Sequence, residues 1–137
     1  VTQALLEPLP IGPVTLRLAD APLRGPRPLA GHKTTDRAAY DAGVKAAVAA
    51  GAFDTLFFDE AGQLLEGGRS NVFVRLGGTW FTPPLSAGVL PGVQRARLLQ
   101  SPAWAAQERA IHRDELVQAQ GLMVCNALRG ALPAVLA

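Results

Sequence analysis

Apolar and polar residues alternate over Val14-Thr15-Leu16-Arg17-Leu18, which predicts a short strand with one buried face. Around it, Pro8, Pro10, Pro13, Pro22, Pro26 and Pro28 push their predecessors away from helix, so the rest of residues 1–30 reads as an extended, linker-like arm. The period changes after Asp36. Tyr40, Val44, Ala47 and Val48 recur at helical spacing, Thr35 can cap the start, and Gly51 supplies the stop, predicting a helix from Asp36 to Ala50.

Two hairpins follow. Thr55-Leu56-Phe57-Phe58 and Gln63-Leu64-Leu65-Glu66 flank the turn Asp59-Glu60-Ala61-Gly62, and residues 71–76 and 79–82 flank Gly77-Gly78. Pro91-Gly92 opens a short helix over Val93 to Gln100. A second short helix is expected from His112 to Gln120, with Asp114 and Glu115 in its favourable first turn. Leu122 to Cys125 reads as a last buried strand, ending at Asn126-Ala127-Leu128-Arg129-Gly130. Strands interleaved with helices argue an α/β domain.

Composition narrows the class. The chain has 137 residues, the size of one domain, and 49% apolar against 18% charged residues marks it as globular rather than disordered. Thirteen basic and 11 acidic residues leave a net charge of +2, without a Lys/Arg run or a basic stripe interleaved with aromatics, so nucleic acid is not an expected partner. The lone Cys125 cannot form an internal disulfide, which suits a reducing, cytoplasmic setting. No apolar stretch approaches the roughly 20 residues that cross a bilayer, so no membrane partner is expected. The N-terminus lacks Met and a basic n-region and reads as an interior or processed start rather than a signal peptide.

Three stretches carry candidate chemistry. Lys33, in Gly31-His32-Lys33-Thr34-Thr35-Asp36-Arg37, can serve as an amine nucleophile if its surroundings lower its pKa; an exposed lysine before a helix would be merely solvated. Glu66, in Glu66-Gly67-Gly68-Arg69-Ser70-Asn71, is a strand-end carboxylate that could face a protonated ring nitrogen, or simply water. Asn71 could bond Glu66 or cap the turn. Gly92-Val93-Gln94 offers free N–H groups and a helix dipole to a dianion, although an ordinary Pro-Gly helix start has the same form. His32 and His112 lack metal-ligand partners at useful spacing, so no metal is expected. Cys125, Trp80 and Trp104 read as packing residues, and Ser70 and Ser86 lack the context of a serine nucleophile.

In order and spacing these stretches, with Thr82-Pro83-Pro84-Leu85, Gly88-Val89-Leu90-Pro91-Gly92-Val93-Gln94-Arg95 and Cys125-Asn126-Ala127-Leu128-Arg129-Gly130, resemble the class IV aminotransferases, the fold-type IV pyridoxal phosphate enzymes. The resemblance runs from about Leu29 to Pro133. It implies the large C-terminal domain of that fold, a mixed sheet or irregular barrel with flanking helices, over residues 31–137. Pyridoxal 5′-phosphate is the implied cofactor, Lys33 its Schiff-base lysine, and Glu66 the partner of its pyridine nitrogen. Val93 and Gln94 would give backbone N–H groups to the phosphate, Asn71 would belong to the cofactor site, and Asn126-Ala127 would lie near phosphate or substrate.

The His-Lys-Thr-Thr-x-Arg form and the Asn-Ala-Leu-Arg-Gly tail look most like 4-amino-4-deoxychorismate lyases, including the lyase part of synthase–lyase fusions. Those enzymes release pyruvate and leave 4-aminobenzoate for folate synthesis. An aminotransferase of branched-chain or D-amino acid type is the alternative, and a non-catalytic dimerisation domain the third. The resemblance also implies a small-molecule substrate and a homodimer. It implies a smaller N-terminal domain outside this chain, with residues 1–30 as interdomain arm and a fused synthase domain as a further partner. Arg69 stands where a small or apolar residue is common, which would bear on substrate carboxylates.

Overall fold

The computed structural model describes residues 12–23 and 37–137. Lys33 lies outside them, as do Thr35 and Asp36. Among the described residues, eight strands form one mixed sheet in the order β3-β2-β1-β8-β7-β4-β5-β6. The strands are β1 (Val14–Leu18), β2 (Asp54–Phe58), β3 (Leu64–Gly67), β4 (Asn71–Leu76), β5 (Thr79–Thr82), β6 (Gln107–Glu108), β7 (Gly121–Asn126) and β8 (Gly130–Leu136). The predicted first strand is an interior one: β1 runs parallel to both β2 and β8, with Leu16 opposite Asp54 on one side and Leu136 on the other.

Both hairpins form as expected. β2 and β3 pair antiparallel, as do β4 and β5, and Gly77 and Gly78 both take positive φ in the β4–β5 turn, where glycine carries no steric cost. The predicted last strand is not the last. β7 turns at Asn126–Gly130 into β8, which pairs with it antiparallel over its length. Pro133 and the lack of β-branched alternation hide β8 in the sequence. Its partners on both sides, β1 and β7, are what make it a strand.

Helix α1 (Ala38–Ala49) covers β2 and stops at Gly51, which has φ +80°. Its capping residue is Arg37, with no side-chain cap bond. Tyr40 and Ala47 of the predicted apolar face are buried, whereas Val48 is 49% exposed. Close approach explains the face that packs: a Cβ on Gly43 would strike the Phe57 ring, and Thr55 Oγ1 donates to the Gly43 carbonyl at 2.7 Å. Helix α2 spans Val93–Gln100 as predicted. The helix expected from His112 is instead a 3-10 helix, Arg113–Gln118, capped by a reciprocal pair: Asp114 N–H donates to His112 Nδ1, and His112 N–H donates to Glu115 Oε1.

The main core joins Leu16, Leu56, Leu64, Val72, Val74, Ile111 and Val124, each at most 1% exposed. Burial of each such side chain contributes roughly 1.5–3 kcal/mol before entropy is set against it. A second cluster joins Phe73, Leu98, Met123 and Cys125, with the predicted packing residues Trp80 and Trp104 in a tilted pair 5.2 Å apart. Among the described residues no helix is long and apolar enough to cross a membrane.

Candidate active site

β3 ends the sheet on one side, yet Gly68–Ser70 link it directly to β4, five strands away in the order, and the two strands touch. The sheet curls to allow this. Glu66 and Asn71 therefore stand on either side of a turn that bridges the two limbs.

A buried carboxylate organises that turn. Asp54, at 0% exposure, accepts from the backbone N–H of Thr55 (2.7 Å), Gly68 (2.9 Å) and Arg69 (3.1 Å) and from Ser70 Oγ (2.7 Å). Burial pushes its carboxyl above the ordinary value, against the pull of those four donors. Nothing in the motifs around Lys33, Glu66 or Gly92 points to Asp54. Its one sequence signal is an acid between Phe53 and the run Thr55-Leu56-Phe57-Phe58. Gly68 must be glycine here, because a Cβ would lie 2.7 Å from both the Tyr40 carbonyl and Val44 Cγ2.

Glu66 is 4% exposed, so it is no solvated strand end. Tyr40 Oη donates to its Oε2 at 2.8 Å, and Leu90 N–H donates to its Oε1 at 3.0 Å. Asn71, 6% exposed, turns away from Glu66 and the turn: its Nδ2 donates to the Leu90 carbonyl at 2.9 Å. Leu90 leads to Gly92, the residue before α2, whose N–H also donates to the Leu90 carbonyl at 2.9 Å. Val93 and Gln94 begin α2, so their N–H groups have no intrahelical acceptor, and the helix start has no side-chain cap. Val93 is 61% exposed, which leaves that start open.

Asn126 faces the same turn. Its Nδ2 donates to the Arg69 carbonyl at 3.0 Å, and its Oδ1 accepts from Arg129 N–H at 2.7 Å. Ala127 follows, exposed, at the tip of the β7–β8 turn. Arg69 is itself engaged. Its Nε and Nη2 donate to the Phe53 carbonyl at 3.0 and 2.5 Å, with the guanidinium 4.1 Å from the Phe53 ring. Arg37 Nη2 donates to the Gly68 carbonyl at 2.8 Å, so the end of the lysine-bearing motif is tied to the Glu66 turn.

On the buried face of α2, Arg95 is 4% exposed and donates to the Pro83 carbonyl at 3.0 Å and to Glu108 Oε2, while its Nε has no partner among the described residues. Arg95 holds the Glu108 carboxyl below its ordinary value. A separate cleft of about 230 Å³ beside α1, lined by Arg17, Asp20, Gly43, Ala46, Thr55 and Phe57 among others, contains none of the predicted site residues.

A buried, doubly anchored carboxylate, joined through Leu90 to an uncapped helix start three residues further on, fits an aromatic cofactor that carries a cationic ring nitrogen at one end and a phosphate at the other. The profile of the amino-transferase class IV family matches residues 2–136, and the chain belongs to that family. Its members are pyridoxal phosphate enzymes, transaminases or lyases, typically dimeric.

Among solved structures, a Mesorhizobium loti protein assigned as an amino-acid aminotransferase is 38% identical with a TM-score of 0.82, over 96% of this chain and 63% of that one. A Legionella pneumophila protein assigned as a 4-amino-4-deoxychorismate lyase is 26% identical with a TM-score of 0.83, over 95% of this chain and 50% of that one. A Thermotoga maritima protein assigned as a branched-chain-amino-acid aminotransferase is 31% identical over 84 residues, 59% of this chain and 31% of the relative. The chain thus spans under two thirds of the length of each.

Proposed function

We propose that this chain is the cofactor-binding large domain of a pyridoxal phosphate enzyme that cleaves 4-amino-4-deoxychorismate to pyruvate and 4-aminobenzoate. The observation that carries the cofactor reading is Glu66, buried, held by Tyr40 Oη and Leu90 N–H, and joined through Leu90 to the open start of α2. Glu66 would accept a hydrogen bond from the ring nitrogen and favour its protonated form, while Val93 and Gln94 N–H would hold the phosphate. Bound pyridoxal phosphate supplies an electron sink for the substrate carbon beside the amine.

Lys33 would hold the cofactor through Nζ and move the Cα proton with the same atom once displaced by the substrate amine. Arg37 lies four positions after Lys33, a covalent reach of at most about 14 Å, and Arg37 is bonded to Gly68 of the Glu66 turn. The lyase reading, over a transaminase, is supported by His32-Lys33-Thr34-Thr35 with Arg37, by the Asn126–Gly130 tail held on the Arg69 carbonyl, and by the likeness to the Legionella protein. Residues 31–137, with β1 of the expected arm built into their sheet between β2 and β8, would form the large domain, a smaller N-terminal domain would lie ahead of β1, and two copies would form a homodimer.

Two measurements test this. Pyridoxal phosphate added to the chain is expected to give a visible band that borohydride bleaches and that Lys33→Ala abolishes; a colourless protein overturns the cofactor reading. With the full-length protein, 4-aminobenzoate is expected from aminodeoxychorismate without a keto acid. Strict dependence on a keto acid, with amino-group transfer, replaces the lyase by the transaminase.

A further inference from the structure

We propose that Asn71 is a positioning residue: its carboxamide, acting through the backbone of Leu90, locks the Glu66 carboxylate and the phosphate-binding start of α2 into one rigid unit. The inference rests on the cofactor reading above and adds to it a role for a side chain that need not touch the cofactor.

Leu90 is held at both of its backbone polar groups, which belong to successive peptide units. Its N–H donates to Glu66 Oε1 at 3.0 Å, and its carbonyl accepts from Asn71 Nδ2 at 2.9 Å and from Gly92 N–H at 2.9 Å. Glu66 sits near the end of β3 and Asn71 opens β4, where the ladder sets it opposite Cys125. Two strands from different limbs of the sheet therefore converge on one loop residue.

The other half of the carboxamide points to the same place. A Cβ on Gly92 would collide with Asn71 Oδ1, so the residue before α2 is fitted against this side chain. A planar carboxamide donates to the Leu90 carbonyl with one arm while the other fills the space beside Gly92 that a Cβ would need. An aspartate would set an acceptor against the Leu90 carbonyl, and a leucine would leave that carbonyl with one donor fewer.

The functional consequence follows from rigidity. A flat cofactor gripped at its nitrogen and its phosphate is bound well only if the two grips keep a fixed separation. Here both grips lean on Leu90. Loosening Asn71 should then impair both, and its effect should overlap with that of Glu66 rather than add to it.

The test has two arms. In the cofactor-free chain, amide hydrogen exchange at Leu90 and Gly92 is expected to accelerate about tenfold in Asn71→Ala, a lost hydrogen bond of ordinary worth, with Val74 unchanged. Asn71→Ser, whose hydroxyl is shorter, serves if the alanine variant folds poorly. In the second arm, pyridoxal phosphate is titrated into the wild type, Glu66→Gln, Asn71→Ala and the double variant.

The expected result is a weakening of about tenfold for Asn71→Ala, non-additive with Glu66→Gln. Thr82→Val deletes the buried bond from Thr82 Oγ1 to the Val72 carbonyl and should leave affinity intact at a similar loss of stability. Unchanged exchange, additive losses, or an equal affinity loss in Thr82→Val overturns the proposal. A wild type that takes up no cofactor defeats the functional reading instead, and the exchange arm still decides whether Asn71 holds the loop.

Discussion

Tyr40 Oη lies 2.8 Å from Glu66 Oε2, and this bond joins the first turn of α1 to the end of β3 across the curl of the sheet. Both side chains are at most 5% exposed, and the Tyr40 ring is braced edge-on by Phe57 at 5.0 Å. A phenol donating to a buried carboxylate does two jobs. It compensates part of the carboxylate's desolvation, and it fixes the direction of the other oxygen, which Leu90 N–H receives.

Tyr40→Phe should keep the ring packing and delete that donor. The expected cost is about 1–3 kcal/mol in denaturant unfolding, because Glu66 loses a charge-assisted partner in a site that water does not reach. Pyridoxal phosphate affinity should fall in the same variant, read by titration of the visible band. A variant as stable as the wild type would show that Glu66 is already satisfied without Tyr40.

Asp54→Asn is nearly isosteric but presents an NH2 group to donors that now meet a carboxylate oxygen. Four bonds converge on Asp54, so at least one backbone N–H of the 68–69 turn or the Ser70 hydroxyl is left facing another donor. Destabilisation of about 2–4 kcal/mol is expected, with the Gly68 and Arg69 amides losing exchange protection first. Ser70→Ala removes one of the four and should cost about 1 kcal/mol by the same measurement.

Gly92→Ala tests the tightness of the loop before α2. Gly92 has φ −65°, which alanine adopts without strain, so any penalty arises from the collision of the new Cβ with Asn71 Oδ1. We expect a loss of about 1–3 kcal/mol in thermal unfolding. Combining it with Asn71→Ala should recover part of that loss, since the obstructing oxygen is gone. Full additivity of the two changes would contradict the contact.

Cys125 sets a limb of the pH–stability curve. Burial pushes its thiol from 9.0 up to about 11, against the pull of Arg95. The folded state holds this proton more tightly than the unfolded chain, so the thiol's contribution is complete below about pH 9 and is lost as pH rises toward 11. The loss amounts to about 2–3 kcal/mol. Cys125→Ala should flatten the curve in that window and lower it elsewhere through the cavity it leaves beside Phe73 and Met123. Equal slopes for the two proteins between pH 9 and 11 would refute this.

By itself the chain determined the elements whose signals are local. Val14–Leu18 alternates, Gly51 and Gly77-Gly78 permit the backbone turns at which they stand, and Pro91-Gly92 opens α2, because steric limits on single residues act before any packing does. The order of its motifs placed it in the family that the match over residues 2–136 bears out.

Tertiary structure decided what depends on distant partners. β8 is a strand because β1 and β7 flank it, despite Pro133. Asp54 is an organising group because the sheet's curl lays the 67–70 turn over it. Arg69 turns back onto the Phe53 carbonyl, and Asn71 reaches Leu90, 19 residues further along the chain. Such pairings carry no mark in local sequence, since a buried polar group takes whichever partner the fold brings within about 3 Å of it.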